Sequence, residues 1–280
     1  MTATASAPSS SGNLGPGFDT LALALDLRCT VTADVAPSLT VDEGTGVRSL
    51  DEGDLIARAV LAAAGRPMHL TIRNDVPRSR GLGSSAAVSA AAAAAAMVAV
   101  DGNSDRNRVF DIVRELEGHG DNAAAAVYGG LVSVSGPEVN RLEVHPSLVQ
   151  LVAVPSMRLP TSSARAALDP AVPREAVVRS LARVLALVEG LRRGDAELLA
   201  QAGGDELHEE PRAVLSPVSA ELMSAARSAG AFHAAWSGAG PSVIAFCDEV
   251  FRPRVFAAMD AVLNSDGRVL DLAVDREGLR

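Results

Sequence analysis

The residues best suited to chemistry stand in one run, Pro77-Arg-Ser-Arg-Gly81-Leu-Gly83-Ser84-Ser85-Ala86-Ala87, between a strand-like stretch and an alanine-rich one. Two glycines let the backbone turn tightly with its N–H groups directed into one concavity. Ser84 and Ser85 then open a helix, whose unpaired N–H groups and positive dipole end face the same point. A diphosphate fits there. A flexible turn capped by serine fits the same residues, and local physics does not choose between the two.

A phosphate site in this chain would work without lysine, because all 25 basic residues are arginine. A Walker A loop, the strand lysine of a protein kinase and a Schiff-base mechanism are therefore excluded. What remains is backbone N–H groups, arginines and a metal ion. Mg²⁺ bridging two phosphates takes oxygen ligands, so a hydroxyl from Ser84 or Ser85 plus one carboxylate would form a typical partial shell. The segment ahead of Asp121-Asn122 offers Asp111, Glu115 and Glu117, and Asp111, Glu115 and His119 share a helix face at i, i+4 and i+8. The choice between Glu115 and Glu117 stays open, against the common alternative of solvated surface carboxylates.

Hydrophobic periodicity supplies the elements that must hold these groups. Ala3–Ala7 and Leu21–Val35 read as strands, separated by a loop over residues 8–19 rich in Ser, Gly, Asn and Pro. A helix over 54–64 and a strand over 69–74 lead to the glycine-serine loop and an alanine-rich helix to about Val100. Ser104 or Asp105 caps the next helix, which carries Val109, Ile112, Val113 and Leu116 on one face and stops at Gly118. Strands over 128–135 and 148–154, helices over 164–168, 174–193, 196–208 and 219–228, and strands over 232–236, 242–246 and 269–274 complete the reading. The alternation has no repeat, so the fold class is α+β, with lobes spanning 1–154 and 155–280.

With 48% apolar residues the chain can bury a sizeable core without disulfides. A net charge of −9 with scattered arginines excludes nucleic acid as the main partner. Cys29 and Cys247 read as buried thiols of a cytoplasmic protein, and neither has a His or Cys at metal spacing. No signal peptide is visible at the N-terminus. Residues 81–100 carry no charge, but their Ala, Gly and Ser content suits a close-packed internal helix better than a membrane span. His69, His145 and His233 read as structural, and Trp236 as packing under the Ser237–Gly240 loop.

The loop resembles the phosphate loop of the GHMP kinases, the family of galactokinase, homoserine kinase, mevalonate kinase and phosphomevalonate kinase. Ser11-Gly-Asn13-Leu-Gly-Pro-Gly17-Phe-Asp19 is similar to the family's substrate-side motif in its homoserine kinase branch. Ser237-Gly238-Ala239-Gly240-Pro241-Ser242 is similar to the C-terminal glycine loop that closes over the active site. Glu117-Gly-His119-Gly-Asp121-Asn122 with Tyr128-Gly129-Gly130, and Leu207-His208-Glu-Glu-Pro211-Arg212, resemble stretches of the same branch. The five motifs stand in the family's order and cover residues 5 to 247.

The resemblance implies a two-lobed fold, with a ribosomal-S5-like N-terminal lobe and an α/β-plait C-terminal lobe. It implies ATP and Mg²⁺ as cofactors, L-homoserine as the phosphoryl acceptor, and a homodimer. The nucleotide side would fall to Pro77, Arg80, Gly81, Leu82, Gly83, Ser84, Ser85 and Ala86. Asp54 stands where the family commonly has the Asn that helps to recognise adenine. The acceptor side would fall to Asn13, Asp19, Asn122, Arg165 and Arg212: Asp19 for the ammonium, the two arginines for the carboxylate, where a bidentate fork suits. Asp19, Asn122 and Arg165 are the residues closest to the chemistry by this reading, and the metal falls to Ser84, Ser85, Glu115 or Glu117. Glu115 matches the family pattern by standing four residues before His119. Gly120 replaces the usual Pro. A dedicated strong base is absent from the homoserine kinases as a group, which fits a loose transition state needing little early proton abstraction. Two other readings stand beside this one: a relative acting on threonine or a mevalonate derivative, and a nucleotide-binding protein without catalysis.

Overall fold

Small residues and Val on one buried face pair the first two long strands. β1 (Ala3–Gly12) runs antiparallel to β2 (Leu21–Val35), with a register shift at Pro8/Ser9. The computed structural model describes residues 1–280. Next come β3 (Thr40–Asp42), β4 (Val47–Ser49), α1 (Leu55–Ala64), β5 (Met68–Asn74) and α2 (Ser84–Asp101). α3 (Arg106–Glu117), α4 (Asp121–Tyr128), β6 (Leu131–Ser135) and β7 (Glu138–Leu142) finish this lobe. In its seven-stranded sheet, β1 lines one edge of β2 while β5 and β6 share the other edge at opposite ends.

α2 is apolar all round and lies among α1, α3, α4 and the sheet. Alanine makes this possible, because a helix with short side chains can approach every neighbour closely while keeping high helix propensity. It is the one helix with the length and hydropathy to cross a membrane, and most of it is buried within the lobe's 39-residue apolar cluster. The lobe therefore fixes the helix N-terminus, and with it Ser84 and Ser85, rigidly.

The second lobe holds β8 (Val149–Pro155), α5 (Thr161–Ala166), α6 (Arg174–Arg193), α7 (Ala196–Gln201) and α8 (Glu209–Arg212). A 3-10 turn, α9 (Pro217–Ser228), β9 (His233–Trp236), β10 (Val243–Cys247), α10 (Arg252–Leu263) and β11 (Gly267–Leu272) follow. Its antiparallel sheet has the order β11-β8-β10-β9, with α9 and α10 packed on it. Numbered within the lobe, that is 4-1-3-2, the split β-α-β plait. The molecule is α+β with two lobes. Leu14, Leu23 and Leu82 of the first lobe join Val152, Ile244 and Phe246 of the second in one apolar cluster, which locks the lobes together.

Several features differ from the sequence reading. β8 pairs wholly within the second sheet, so the lobes divide between Leu142 and Val149 rather than at 154/155. Residues after β11 return to the first lobe, where Arg280 pairs with Ser6 and Arg28 with Asp275. β1 extends to Gly12 because the buried Ser9–Ser11 pair with β2, leaving only residues 13–20 as the loop. Residues 121–128, of which the sequence reading assigns only residue 128, to a strand, form α4: the run Ala123–Ala126 favours helix and Asp121 sits well at its N-terminus. The helix expected over 196–208 stops at Gln201, since Gly203-Gly204 follows and Gly204 has φ +85°. Cys29 and Cys247 are buried free thiols, and burial pushes the pKa of each up to about 12.

Candidate active site

Three glycine-rich loops converge where the lobes meet. The loop after β1 holds Asn13, Leu14, Gly15 and Asp19, all with positive φ, three of them not glycine. Such clustered strain persists only where the surroundings over-determine it, as binding loops do. Asn13 is buried, and its amide is spent within the protein: Nδ2 donates to Gly238 O (2.9 Å) and Oδ1 accepts from Asp19 N (3.0 Å). It ties the loop after β1 to the C-terminal glycine loop. Gly238 N donates to Gly12 O, and Ser237 Oγ to Gly81 O (2.7 Å), so the Ser237–Gly240 loop touches both other loops. Gly240 packs directly over the ring of the buried Trp236, which lies beneath the loop as its sequence context implies.

α2 begins at Gly83 without a side-chain cap, so its first N–H groups remain free to meet an anion. Ser84 Oγ is engaged with Asn74 Nδ2 and Val76 O, whereas Ser85 Oγ donates to Glu117 at 2.5 Å. Glu117 is therefore the carboxylate beside the serines. Glu115 is exposed, a half-turn away on α3, and does not line the cavity. Arg80 is a second correction. Its guanidinium donates to Pro155 O (2.9 Å), Ser156 O (2.6 Å) and Arg78 O, clamping the loop to β8 instead of facing the phosphate cradle. Asp54 caps α1, with Oδ1 accepting from Ile56 N at 2.8 Å, which commits half of the carboxylate that would otherwise meet a base.

A cavity of about 150 Å³ lies between the cradle and the other two loops. Asn13, Asp19, Asn122, Arg165 and Arg212 all line it, as do Pro77, Gly81–Ala86, Glu117, Gly238 and Ala239. A second chamber of about 290 Å³ lies beyond the serines, lined by Asp54, Arg48, Arg78 and Val88, and Ser84 and Ser85 face both. The largest cleft, about 770 Å³, opens behind the loop around Arg78, Arg80, Arg158 and Arg268. Apart from Pro77 it holds none of the residues that line the small cavity, so the small cavity is the better site.

Within that cavity Arg165 grips Asp19 bidentately, at 2.9 and 2.7 Å. The pairing with Asp19 raises the arginine's pKa. Arg212 is 2% exposed and donates to Ala164 O (3.1 Å), Gly238 O (3.3 Å) and His208. Burial, then the charge of Arg165, lowers its pKa to about 10, so it stays charged at neutral pH. Both guanidiniums lie near the Phe18 ring, Arg165 at 5.7 Å and Arg212 at 5.4 Å from its centroid. Asn122 accepts from Ser10 Oγ (2.8 Å) beneath Gly12 and Gly83, where a Cβ on Gly12 would collide with Asp121 Oδ2 (2.7 Å), one on Gly83 with Ser10 Oγ, and both would press on Asn122.

Two residues of the Glu117–Asn122 motif join the site although the sequence reading gives neither a role in it. Asp121, 1% exposed at the start of α4, bonds His119 Nδ1 at 2.7 Å, and ligand atoms of Asp19, His119 and Asp121 lie within 4.8 Å of one another. Burial pulls the His119 pKa down, but the bond and charge of Asp121 outweigh it, and the net shift is upward. Both residues stand inside the Glu117–Asn122 motif; the signal that could have found them is the helical start that turns them inward.

Glu209, in α8, is also buried. It accepts from Trp236 N at 2.7 Å, and desolvation pushes its pKa up to about 7. The unfolded carboxyl releases its proton near 4.5, so folding is penalised as pH rises from there to about 7. Glu209→Gln keeps the acceptor and removes that penalty. We expect the variant to be more stable than the parent by roughly 1–3 kcal/mol at pH 8, the gap closing near pH 4.5. Urea unfolding at several pH values measures this, and a gap independent of pH would contradict it.

Sequence comparison places these features in a family. The profile of the GHMP kinases N terminal domain matches residues 54–130, and that of the GHMP kinases C terminal matches residues 187–265. The chain is 38% identical to homoserine kinase of Moorella thermoacetica over 273 residues, covering 93% of this chain and 92% of that one. It is 37% identical to homoserine kinase of Clavibacter michiganensis over 289 residues, 97% and 91% of the two chains. In fold it matches the crystal structure of homoserine kinase from Cytophaga hutchinsonii with a TM-score of 0.87 at 24% identity, over 100% of this chain and 96% of that one. Phosphomevalonate kinase of Streptococcus pneumoniae, solved with phosphomevalonate and AMPPNP, gives 0.73 at 17% identity, over 98% of each chain. The chain belongs to the GHMP kinase family, on its homoserine kinase branch.

Proposed function

We propose that this chain transfers the γ-phosphoryl group of ATP to the side-chain hydroxyl of L-homoserine, yielding O-phospho-L-homoserine, a step of threonine biosynthesis, and ADP. The observation that carries this reading is the division of the site by the phosphate loop. Ser84 and Ser85 stand between a chamber suited to a nucleotide and a smaller one lined by paired carboxylates and arginines. A compact zwitterionic alcohol matches the smaller chamber.

The free N–H groups at the start of α2 bind the phosphates, and the loop glycines let them approach. Ser85 and Glu117 offer two oxygens to Mg²⁺, and their donor set suits that hard cation. When bound, the ion supplies neutralisation of charge on the transferring oxygens. Asp19 and Arg165, now paired with each other, exchange partners for the ammonium and carboxylate of the acceptor. Arg212, held by its Nε and Nη1 bonds, keeps Nη2 for the carboxylate, while Asp121 brings further negative charge to the ammonium side. Asn122 and the Ser237–Gly240 loop position the hydroxyl and exclude water. No residue is required as a strong base.

A homodimer is part of this reading. Val178, Leu181 and Leu185 form an exposed apolar stripe on α6 that would suit it. The buried free thiols agree with a cytoplasmic setting.

Asp19→Asn tests the acceptor assignment. The variant should raise KM for homoserine roughly tenfold to a hundredfold, with kcat within about threefold of the parent. Steady-state kinetics with saturating Mg²⁺–ATP would show it. A collapse of kcat at unchanged KM would instead make Asp19 the base.

A further inference from the structure

Two buried histidines hold the strained loop after β1 by its carbonyl oxygens. His233 Nε2 lies 3.0 Å from Leu14 O, and His208 Nε2 lies 2.7 Å from Gly15 O. His208 does something more. Its other ring nitrogen, Nδ1, is 3.0 Å from an Arg212 nitrogen, and the residue is fully buried.

The chemistry of these partners leaves one protonation state. A carbonyl oxygen only accepts, so Nε2 must carry the hydrogen. A guanidinium only donates, so Nδ1 must be bare. The neutral Nε2–H tautomer alone satisfies both bonds. Burial favours the same state by lowering the histidine's pKa, against the opposing charge of Asp205. Asp205 Oδ2 also accepts the backbone N–H groups of His208 (2.7 Å) and Glu209 (3.0 Å), which fixes the turn entering α8. The imidazole stacks on Phe18, 5.2 Å between centroids and 26° between planes. Phe18 is the same ring that both guanidiniums lie near.

We propose that His208 is the positioning residue for the acceptor's carboxylate: as a neutral Nε2–H imidazole it links Gly15 of the loop to Arg212 and sets the direction of that guanidinium. Nothing else in the site offers Arg212 a side-chain acceptor, since its other two bonds go to the carbonyls of Ala164 and Gly238. The link couples the two halves of the acceptor site, so a shift of the loop that carries Asp19 moves Arg212 with it. His208 touches neither reacting atom; it acts through Arg212. The inference rests on the homoserine kinase reading for its substrate, but not for its tautomer.

The test uses the full chain and three variants. His208→Asn keeps an acceptor near the Nδ1 position, His208→Gln keeps a donor that can reach Gly15 O, and His208→Leu keeps neither. With homoserine and Mg²⁺–ATP, Leu and Gln should each raise KM for homoserine roughly tenfold to a hundredfold, with KM for ATP within about twofold. Asn should recover most of that loss. A merely structural role predicts instead that Asn and Gln fall together, or that both KM values and kcat move with thermal stability; either pattern overturns the proposal. Independently of turnover, long-range ¹H–¹⁵N correlation at pH 7 should show His208 as the Nε2–H tautomer. An Nδ1–H tautomer or an imidazolium there would overturn the proposal as well. Failure of the parent chain to phosphorylate homoserine would sink the substrate reading, and the tautomer would then decide the role of His208 by itself.

Discussion

Gly81→Ala should lower kcat/KM about a thousandfold or more, close to 4 kcal/mol of transition-state stabilisation. Two observations set this size. Gly81 has φ +72°, which an alanine adopts only with strain. An added Cβ would also meet the Ser237 carbonyl oxygen and sit 2.7 Å from Gly240 N. Both obstacles are backbone atoms, so no side chain can swing aside. Relief requires the phosphate loop and the C-terminal glycine loop to separate, breaking the bond from Ser237 Oγ to Gly81 O. The cradle and the wall that positions the acceptor are lost together. Folding should suffer less, by about 1–3 kcal/mol, because the apolar cluster joining the lobes stays intact. Steady-state kinetics beside thermal unfolding distinguish the two effects. A folded variant within tenfold of parental activity would show that the close approach of the loops is dispensable.

Arg212→Leu should be nearly as damaging, with kcat/KM down roughly a hundredfold to a thousandfold and most of the loss in KM for homoserine. Its charge is already desolvated and aimed, so the carboxylate meets a prepared partner. Removing it also takes the arginine donor from Ala164 O and His208 Nδ1, while Gly238 O keeps only its bond from Asn13 Nδ2. Arg212→Lys should rescue little, since a single ammonium cannot serve the carbonyls and a carboxylate together. Arg165→Leu should do less harm because that side chain is about a third exposed, 36%, and water can take its place. KM for each variant decides the ranking; equal effects at the two arginines would contradict it.

Much of this is legible in the sequence, for reasons that differ by element. The alanine-rich helix, its glycine-serine start and the strand before it announce themselves by composition and periodicity, because the helix is buried on nearly every side. The absence of lysine narrows the phosphate chemistry before any geometry is known. An arginine beside a phosphate loop looks like a ligand, and only the placement of β8 reveals the carbonyls that Arg80 reaches instead. Spacing from His119 favours Glu115, yet the helix phase that brings Glu117 to Ser85 depends on where α3 ends at Gly118. The inward placement of Asp121, and of His119 bonded to it, follows from α4, an element the sequence reading does not assign. The Asp19–Arg165 pair joins residues 146 positions apart, which no local pattern reports.

The central claim is best tested by one assay: ADP release by the full chain with Mg²⁺–ATP, comparing homoserine, threonine, mevalonate and shikimate as acceptors. Homoserine should be turned over with kcat/KM at least about a hundredfold above each of the others, since only it places the ammonium, carboxylate and primary hydroxyl to match Asp19, Arg212 and the phosphate loop. Preference for another acceptor, or ATP binding with no turnover of any, would contradict the account.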